Sequence, residues 1–215
     1  MYKRYIKRIL DIILSLFAIA VLSPVLIILV VFVYFKLGSP ILFRQQRVGK
    51  NEKIFNMCKF RTMTDECNEK GDLLPDEIRL TKFGKILRST SMDELPELFN
   101  ILKGDLSIVG PRSLLVDFLP YYSDYEKQKH KVKGGLTPPE VLYNNIMPTW
   151  EEQFKYEVYY ANNISFLLDL KILLSTFKGV FKRNSLNYGS YVRKSLIDER
   201  QNKVKVLEDD KIYQN

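Results

Sequence analysis

The chain has 215 residues, 46% of them hydrophobic and 27% charged, which suits one folded domain with appendages and excludes a disordered chain. Its formal charge of +8 is concentrated at the start: residues 1–50 carry eight Lys/Arg against the single acid Asp11, leaving 25 bases and 24 acids beyond. A nucleic-acid partner needs a basic patch on the domain itself and is excluded, whereas basic flanks around an apolar segment suit anionic lipid headgroups.

From Ile9 to Phe35 the chain is apolar apart from Asp11, and as a helix it would reach about 40 Å, enough for a hydrocarbon core of about 30 Å. Ser23-Pro24 falls at its middle, where proline removes a backbone donor and Ser23 can cap the group left free. Basic clusters flank both ends, and the positive-inside bias places both in the cytoplasm. The expectation is therefore a re-entrant anchor over residues 1–40, broken at Ser23-Pro24, rather than a kinked spanning helix or a cleaved signal peptide. Asp11 needs a partner there, for which Arg8 or Lys7 is nearest.

Residues 41–63 read as short strands with a turn at Gly49, ending in Lys59-Phe60-Arg61-Thr62-Met63, where two cations bracket an aromatic. Residues 64–78 are a polar loop or lid. A helix is expected over Thr81–Leu87, with Arg88 near its end. Ser91-Met92-Asp93-Glu94 has the form of a capping box, and Leu95, Leu98, Phe99 and Leu102 follow at helical spacing toward Gly104. Pro96 lies beyond the first helical position and should distort this turn. Two adjacent carboxylates on a distorted turn mark a candidate active site. Gly110-Pro111 forms a rigid turn presenting Arg112, and arginine suits two-pronged phosphate binding.

Cys58 and Cys67 have neither metal-type spacing nor a framework of pairs, and His130 is the one histidine. Any metal would be a hard ion held by carboxylates. An aromatic-rich stretch from Tyr121 to Tyr160 follows, divided between core and bilayer interface. Phe166–Phe181 is an amphipathic helix that lies at the interface or packs on the domain. Residues 184–215 read as a polar, frayed tail.

These pieces resemble the small, single-domain bacterial phosphoglycosyl transferases that enter one leaflet only. The resemblance runs from about residue 3 to 181 and rests on Lys7-Arg8 with Asp11, Ser23-Pro24, Phe43-x-Gln45-x-Arg47-x-Gly49 and Lys59-Phe60-Arg61-Thr62-Met63. It continues through Asp76-x-x-Arg79-x-Thr81-x-x-Gly84, Ser91-x-Asp93-Glu94-Leu95-Pro96, Leu98-x-Asn100-x-Leu102-x-Gly104 and Ser107-x-Val109-Gly110-Pro111-Arg112. It implies an α-rich α/β fold with a small sheet, in which residues 41–183 form a cytoplasmic catalytic domain with interfacial amphipathic helices, at the bacterial inner membrane.

The implied reaction moves a sugar 1-phosphate from a UDP-sugar to polyprenol (undecaprenyl) phosphate, the first membrane step of glycoconjugate or polysaccharide assembly. UMP is released through a phosphosugar-aspartate intermediate. Asp93 is then the nucleophile, Glu94 with Asp93 holds Mg²⁺, and Arg88, Arg112, Lys59 and Arg61 are the candidates for phosphate. A homodimer and contacts with downstream glycosyltransferases stay open. The chain departs from the family at Ser113, where proline is usual, and over Gly134–Val141, where Pro-Gly-Ile-Thr-Gly and Ala-Gln-Val are usual. A catalytically silent scaffold of the same fold is the alternative.

Overall fold

The computed structural model describes residues 1–143, 148–182, 193 and 195–201. It is helix-rich, with two small two-stranded sheets, and divides into two compact units, Met1–Gln46 with Phe55–Ile108 and Arg47–Ile54 with Val109–Asn215.

The first unit opens with a π-helical turn, Tyr2–Ile6, that runs into α1 (Lys7–Leu37). Helical structure continues through Pro24. The missing proline N–H leaves the Ala20 carbonyl without its usual donor, and Ser23 Oγ supplies one at 2.8 Å, the cap expected from the sequence. Helix Tyr2–Leu37 is long and apolar enough to cross a membrane, with 11% of its most apolar window buried.

A hairpin follows, β1 (Leu42–Val48) and β2 (Ile54–Phe60), turning at Gly49 as expected. Beyond the loop come α2 (Asp76–Arg79) and α3 (Lys82–Ser89). Thr81 caps α3, its Oγ1 accepting from Gly84 N at 2.9 Å. Gly84 lies so close to β2's exit that an added Cβ would sit 1.9 Å from the Thr62 carbonyl oxygen. Next are α4 (Glu97–Lys103) and β3 (Ser107–Val109).

Both ends of α1 are held by this unit. Near its start, Arg8 donates to the Ile101 and Leu102 carbonyls (2.5 and 2.7 Å) in the last turn of α4. Asp11 is buried, and its partner is neither Arg8 nor Lys7. Its Oδ1 accepts from Ser107 Oγ (2.9 Å) and Ile108 N (3.0 Å), groups nearly a hundred positions away. Toward the other end, Leu26, Leu29 and Val33 form a core with Phe60 and Leu87. The remaining α1 surface is exposed and apolar, including Phe17, Val21, Ile27 and Phe35.

The second unit contains α5 (Asp124–Lys127), β4 (Gly135–Thr137), α6 (Trp150–Asn162) and α7 (Phe166–Lys182), and has a core of Phe118, Tyr122, Trp150, Phe154 and Leu196. Full capping boxes start α5 at Ser123 and α6 at Thr149. Lys129 and Glu157 pair at 2.6 Å with 1% and 0% of their side chains exposed, the lysine lying against the Tyr122 and Phe154 rings. Burial pushes His130 down to about 4, so it is neutral at physiological pH and serves as a core ring against Tyr122.

Part of the expected tail is docked rather than frayed. Residues 196–201 are helical, Leu196 is fully buried, Arg200 pairs with Glu126, and Arg193 stacks on Trp150 with its guanidinium carbon 3.6 Å from the ring centre. The rest of that segment lies outside the described residues. The α7 helix buries Asp169 and Ile172 while Leu167, Leu170, Leu174 and Phe177 face outward.

Candidate active site

The first unit brings together Asp93, Glu94, Lys59 and Arg88, and adds Glu97. The capping box expected at Ser91 does not form. Ser91 adopts a left-handed conformation (φ 55°, ψ 20°) without a side-chain cap, Met92–Glu94 is a single 3-10 turn, and Pro96 becomes the N-cap of α4. Left-handed backbone at a non-glycine residue is costly, and here it directs the chain into the turn that carries both carboxylates.

Because α4 begins at Glu97, its buried face is Glu97, Leu98, Asn100 and Ile101, and Phe99 is exposed rather than inward. Asn100 joins this helix to β2. Its Oδ1 accepts from Cys58 N (3.0 Å) and its Nδ2 donates to the Asn56 carbonyl (2.8 Å), the two groups a neighbouring strand would otherwise take. One turn earlier, Lys59 of β2 reaches Glu97 Oε1 at 3.3 Å and Glu94 Oε1 at 2.6 Å. The Asn100 bridge therefore fixes the register in which Lys59 meets the carboxylates.

Burial, then the charge of Glu94, lifts the Asp93 carboxyl above its ordinary value, while Lys59 and Arg88 pull it back. Glu97 is pushed up from 4.5 to about 7, chiefly by burial, with Lys59 opposing. For Lys59, burial alone would lower the ammonium, but the attraction of Glu94 and Glu97 prevails and raises it. Arg88 is exposed on the last turn of α3, and its Nε donates to the buried Thr62 Oγ1 at 3.1 Å. Thr62 and Gly84 thus set where Arg88 stands.

Arg61, a phosphate candidate from sequence, is buried and engaged by the protein itself. It donates to the Leu37, Ser39 and Met63 carbonyls and pairs with Asp65, tying the end of α1 to the exit of β2. Arg112 belongs to the second unit. Its backbone N donates to Glu157 Oε1 (2.9 Å) and its Nε to Glu140 Oε1 (2.5 Å). The sequence motifs leave out Glu97 and give Asn100 no role, although polar residues at 94, 97 and 100 repeat every third position along an otherwise apolar helix.

Asp93, Glu94 and Glu97 supply hard oxygen donors around one lysine, a chemistry that suits Mg²⁺. Among the described residues no group of three or more His, Cys, Asp or Glu is arranged to hold a metal. Cys58 and Cys67 are free thiols.

A family model described as bacterial sugar transferase matches residues 2–183. The chain is 44% identical over 187 residues to the "uncharacterized sugar transferase EpsL" of Bacillus subtilis (strain 168), covering 87% of this chain and 93% of that protein. It is 36% identical to the UDP-glucose:undecaprenyl-phosphate glucose-1-phosphate transferase of Klebsiella pneumoniae, over 83% of this chain. It is 31% identical to the undecaprenyl-phosphate galactose phosphotransferase of Salmonella typhimurium, over 84% of this chain. Each of these last two alignments spans only 41% of the relative's length.

Proposed function

This chain belongs to the bacterial sugar transferase family, and from that membership we propose that it transfers a sugar 1-phosphate from a UDP-sugar to polyprenol phosphate, releasing UMP. The observation that carries the reading is a buried carboxylate, Asp93, on a strained turn between Glu94, Lys59 and Arg88. An Asp93 Oδ attacks the β-phosphorus of the donor, the bond from that phosphorus to the oxygen bridging to the α-phosphate breaks, and UMP leaves with the electron pair. The acceptor's phosphate oxygen then attacks the same phosphorus and frees the carboxylate. Splitting the transfer lets a soluble donor and a lipid acceptor use the site in turn.

Lys59 offsets the charge that Asp93, Glu94 and Glu97 would otherwise present to an incoming diphosphate, and Arg88, fixed by Thr62, contacts phosphate. Asp93 and Glu94 would hold Mg²⁺, which when bound supplies further neutralisation of phosphate charge. The test is UMP release from a panel of UDP-sugars with polyprenol phosphate and Mg²⁺. At least one donor is expected to give Mg²⁺-dependent release, and no release from folded, membrane-inserted protein would favour a silent scaffold.

We also propose that α1 is re-entrant, with both ends and the catalytic part on the cytoplasmic face. This is supported by one compact unit holding both ends, through Arg8 and Asp11 at one and Leu29 and Val33 at the other. A helix spanning the bilayer would separate those ends by the membrane's thickness. Cysteines placed at positions 3 and 50 should both label from the cytoplasmic side of sealed vesicles. Labelling from opposite sides would rule out the re-entrant arrangement.

A further inference from the structure

We propose that the cavity at the exit of α1 binds the headgroup of an anionic phospholipid of the phosphodiester class, an inference that rests on the membrane-anchor reading of α1. The cavity, about 490 Å³, is lined by Pro40, Leu42, Phe43, Arg44, Arg61 and Asp65, all in the first unit. That volume falls within the range of small-ligand sites. Its place in the chain decides which ligand it meets. Near its end α1 exposes Tyr34, Phe35 and Lys36, with Phe35 at 79%. Aromatic rings followed by a cation are what a helix presents where it passes from hydrocarbon to headgroups. The first lining residue, Pro40, stands three positions beyond Leu37, the last residue of the helix. The cavity therefore opens at headgroup depth.

The two arginines have different parts. Arg61 Nη1 donates to the Leu37 and Ser39 carbonyls (3.0 and 3.1 Å), its Nε donates to the Met63 carbonyl (3.1 Å), and its Nη2 pairs with Asp65. Every nitrogen of that guanidinium is engaged by the chain, so Arg61 builds the wall rather than gripping a ligand. Arg44 is exposed on β1 and, among the described residues, makes no hydrogen bond or ion pair. An arginine in that state offers its planar fork to phosphate oxygens. Arg44 and Arg61 against Asp65 leave the lining with one positive charge in excess. A phosphodiester, with one negative charge, matches it. A phosphomonoester would leave a charge unmatched, and a choline headgroup would set a second cation beside Arg44. Leu42 is partly buried against the α1 core and Phe43 is 50% exposed. With Pro40 they give the first carbons of the acyl chains an apolar wall, which a soluble phosphate would not use.

The full chain in neutral detergent is mixed with equal amounts of phosphatidylglycerol and phosphatidylcholine, and the lipid it retains is counted by native mass spectrometry. Wild type should keep one phosphatidylglycerol, with a preference of about tenfold. Arg44→Gln should lose that preference with little change in melting temperature, and Lys85→Gln, which removes an exposed cation from α3, should keep it. Equal retention of the two lipids by wild type overturns the proposal. So does an equal loss in both variants, which would show general surface attraction. Displacement of phosphatidylglycerol by an equal concentration of inorganic phosphate, or of polyprenol phosphate, would assign the cavity to that ligand instead and also overturn it. Phe43→Ser should weaken phosphatidylglycerol retention as well, and it carries the test should Arg44→Gln fail to fold. Flotation with neutral vesicles separates this proposal from the reading beneath it. A chain that stays behind removes the membrane anchor and this site with it, whereas one that floats without the lipid preference removes this site alone.

Discussion

In Asp93→Asn, UMP release is expected to fall by at least about a thousandfold, equivalent to about 4 kcal/mol of lost transition-state stabilisation. The amide matches the carboxyl in size, so the 3-10 turn and the Lys59 pairs should persist and the melting temperature should change little. The loss is chemical: an amide oxygen carries no full charge and makes a poor nucleophile toward phosphorus. Burial of Asp93 adds to its reactivity, because a carboxylate stripped of water and held between Lys59 and Arg88 has little solvent to shed before attack. A variant that folds and keeps more than a tenth of wild-type release would remove Asp93 from the chemistry.

Lys59→Met should have the second largest effect, on activity and stability together. Removing one partner of a fully buried ion pair costs about 3–5 kcal/mol. Lys59 is 26% exposed, so about 2 kcal/mol is expected at pH 8. The sign with pH follows from Glu97, whose carboxyl lies at about 7 in the folded chain against 4.5 ordinarily. Between those values the folded state holds a proton that the unfolded state has lost, so stability falls as pH rises through this window, by about 3 kcal/mol from this group, and then levels off. Without Lys59 the cause that lowers Glu97 is gone, and the fall should continue beyond pH 7. Asp93 should titrate higher too, which moves the acid limb of the pH–rate profile upward. Melting temperatures across pH 5–9 without divalent cations check the first expectation. Parallel curves for wild type and Lys59→Met would show that Lys59 does not govern these carboxylates.

Local chemistry made much of this legible in the sequence. The Ser23 cap under Pro24, the helix that follows Thr81, the hairpin turn at Gly49 and the distortion around Pro96 each depend on residues within a few positions of one another. The Asp93-Glu94 pair stood out because two adjacent carboxylates beside a misplaced proline are unusual for a plain helix start. What escaped was non-local or depended on register. The Asp11 partners are nearly a hundred residues away, and no periodicity points to them. A helix starting at Glu97 instead of Met92 turns a different face inward, so Phe99 was misplaced and the bridging role of Asn100 was not legible. Arg61 looked like a phosphate ligand because its partners, the Leu37 and Ser39 carbonyls, are backbone groups that composition does not reveal. In the polar stretch after 184, Leu196 and Ile197 were too few to signal docking, yet the core beneath Trp150 gives them a place.

The central claim is that Asp93 carries the sugar phosphate between donor and acceptor, and intact-protein mass spectrometry tests it most directly. Protein in detergent would be mixed with Mg²⁺ and a donor that supports UMP release, without polyprenol phosphate, and its mass read within seconds. Wild type should gain the mass of one sugar phosphate, lose it when polyprenol phosphate is added, and show no gain as Asp93→Asn. If donor turnover requires the acceptor to be present and no mass gain ever appears, the transfer is a direct displacement and the covalent route through Asp93 is contradicted.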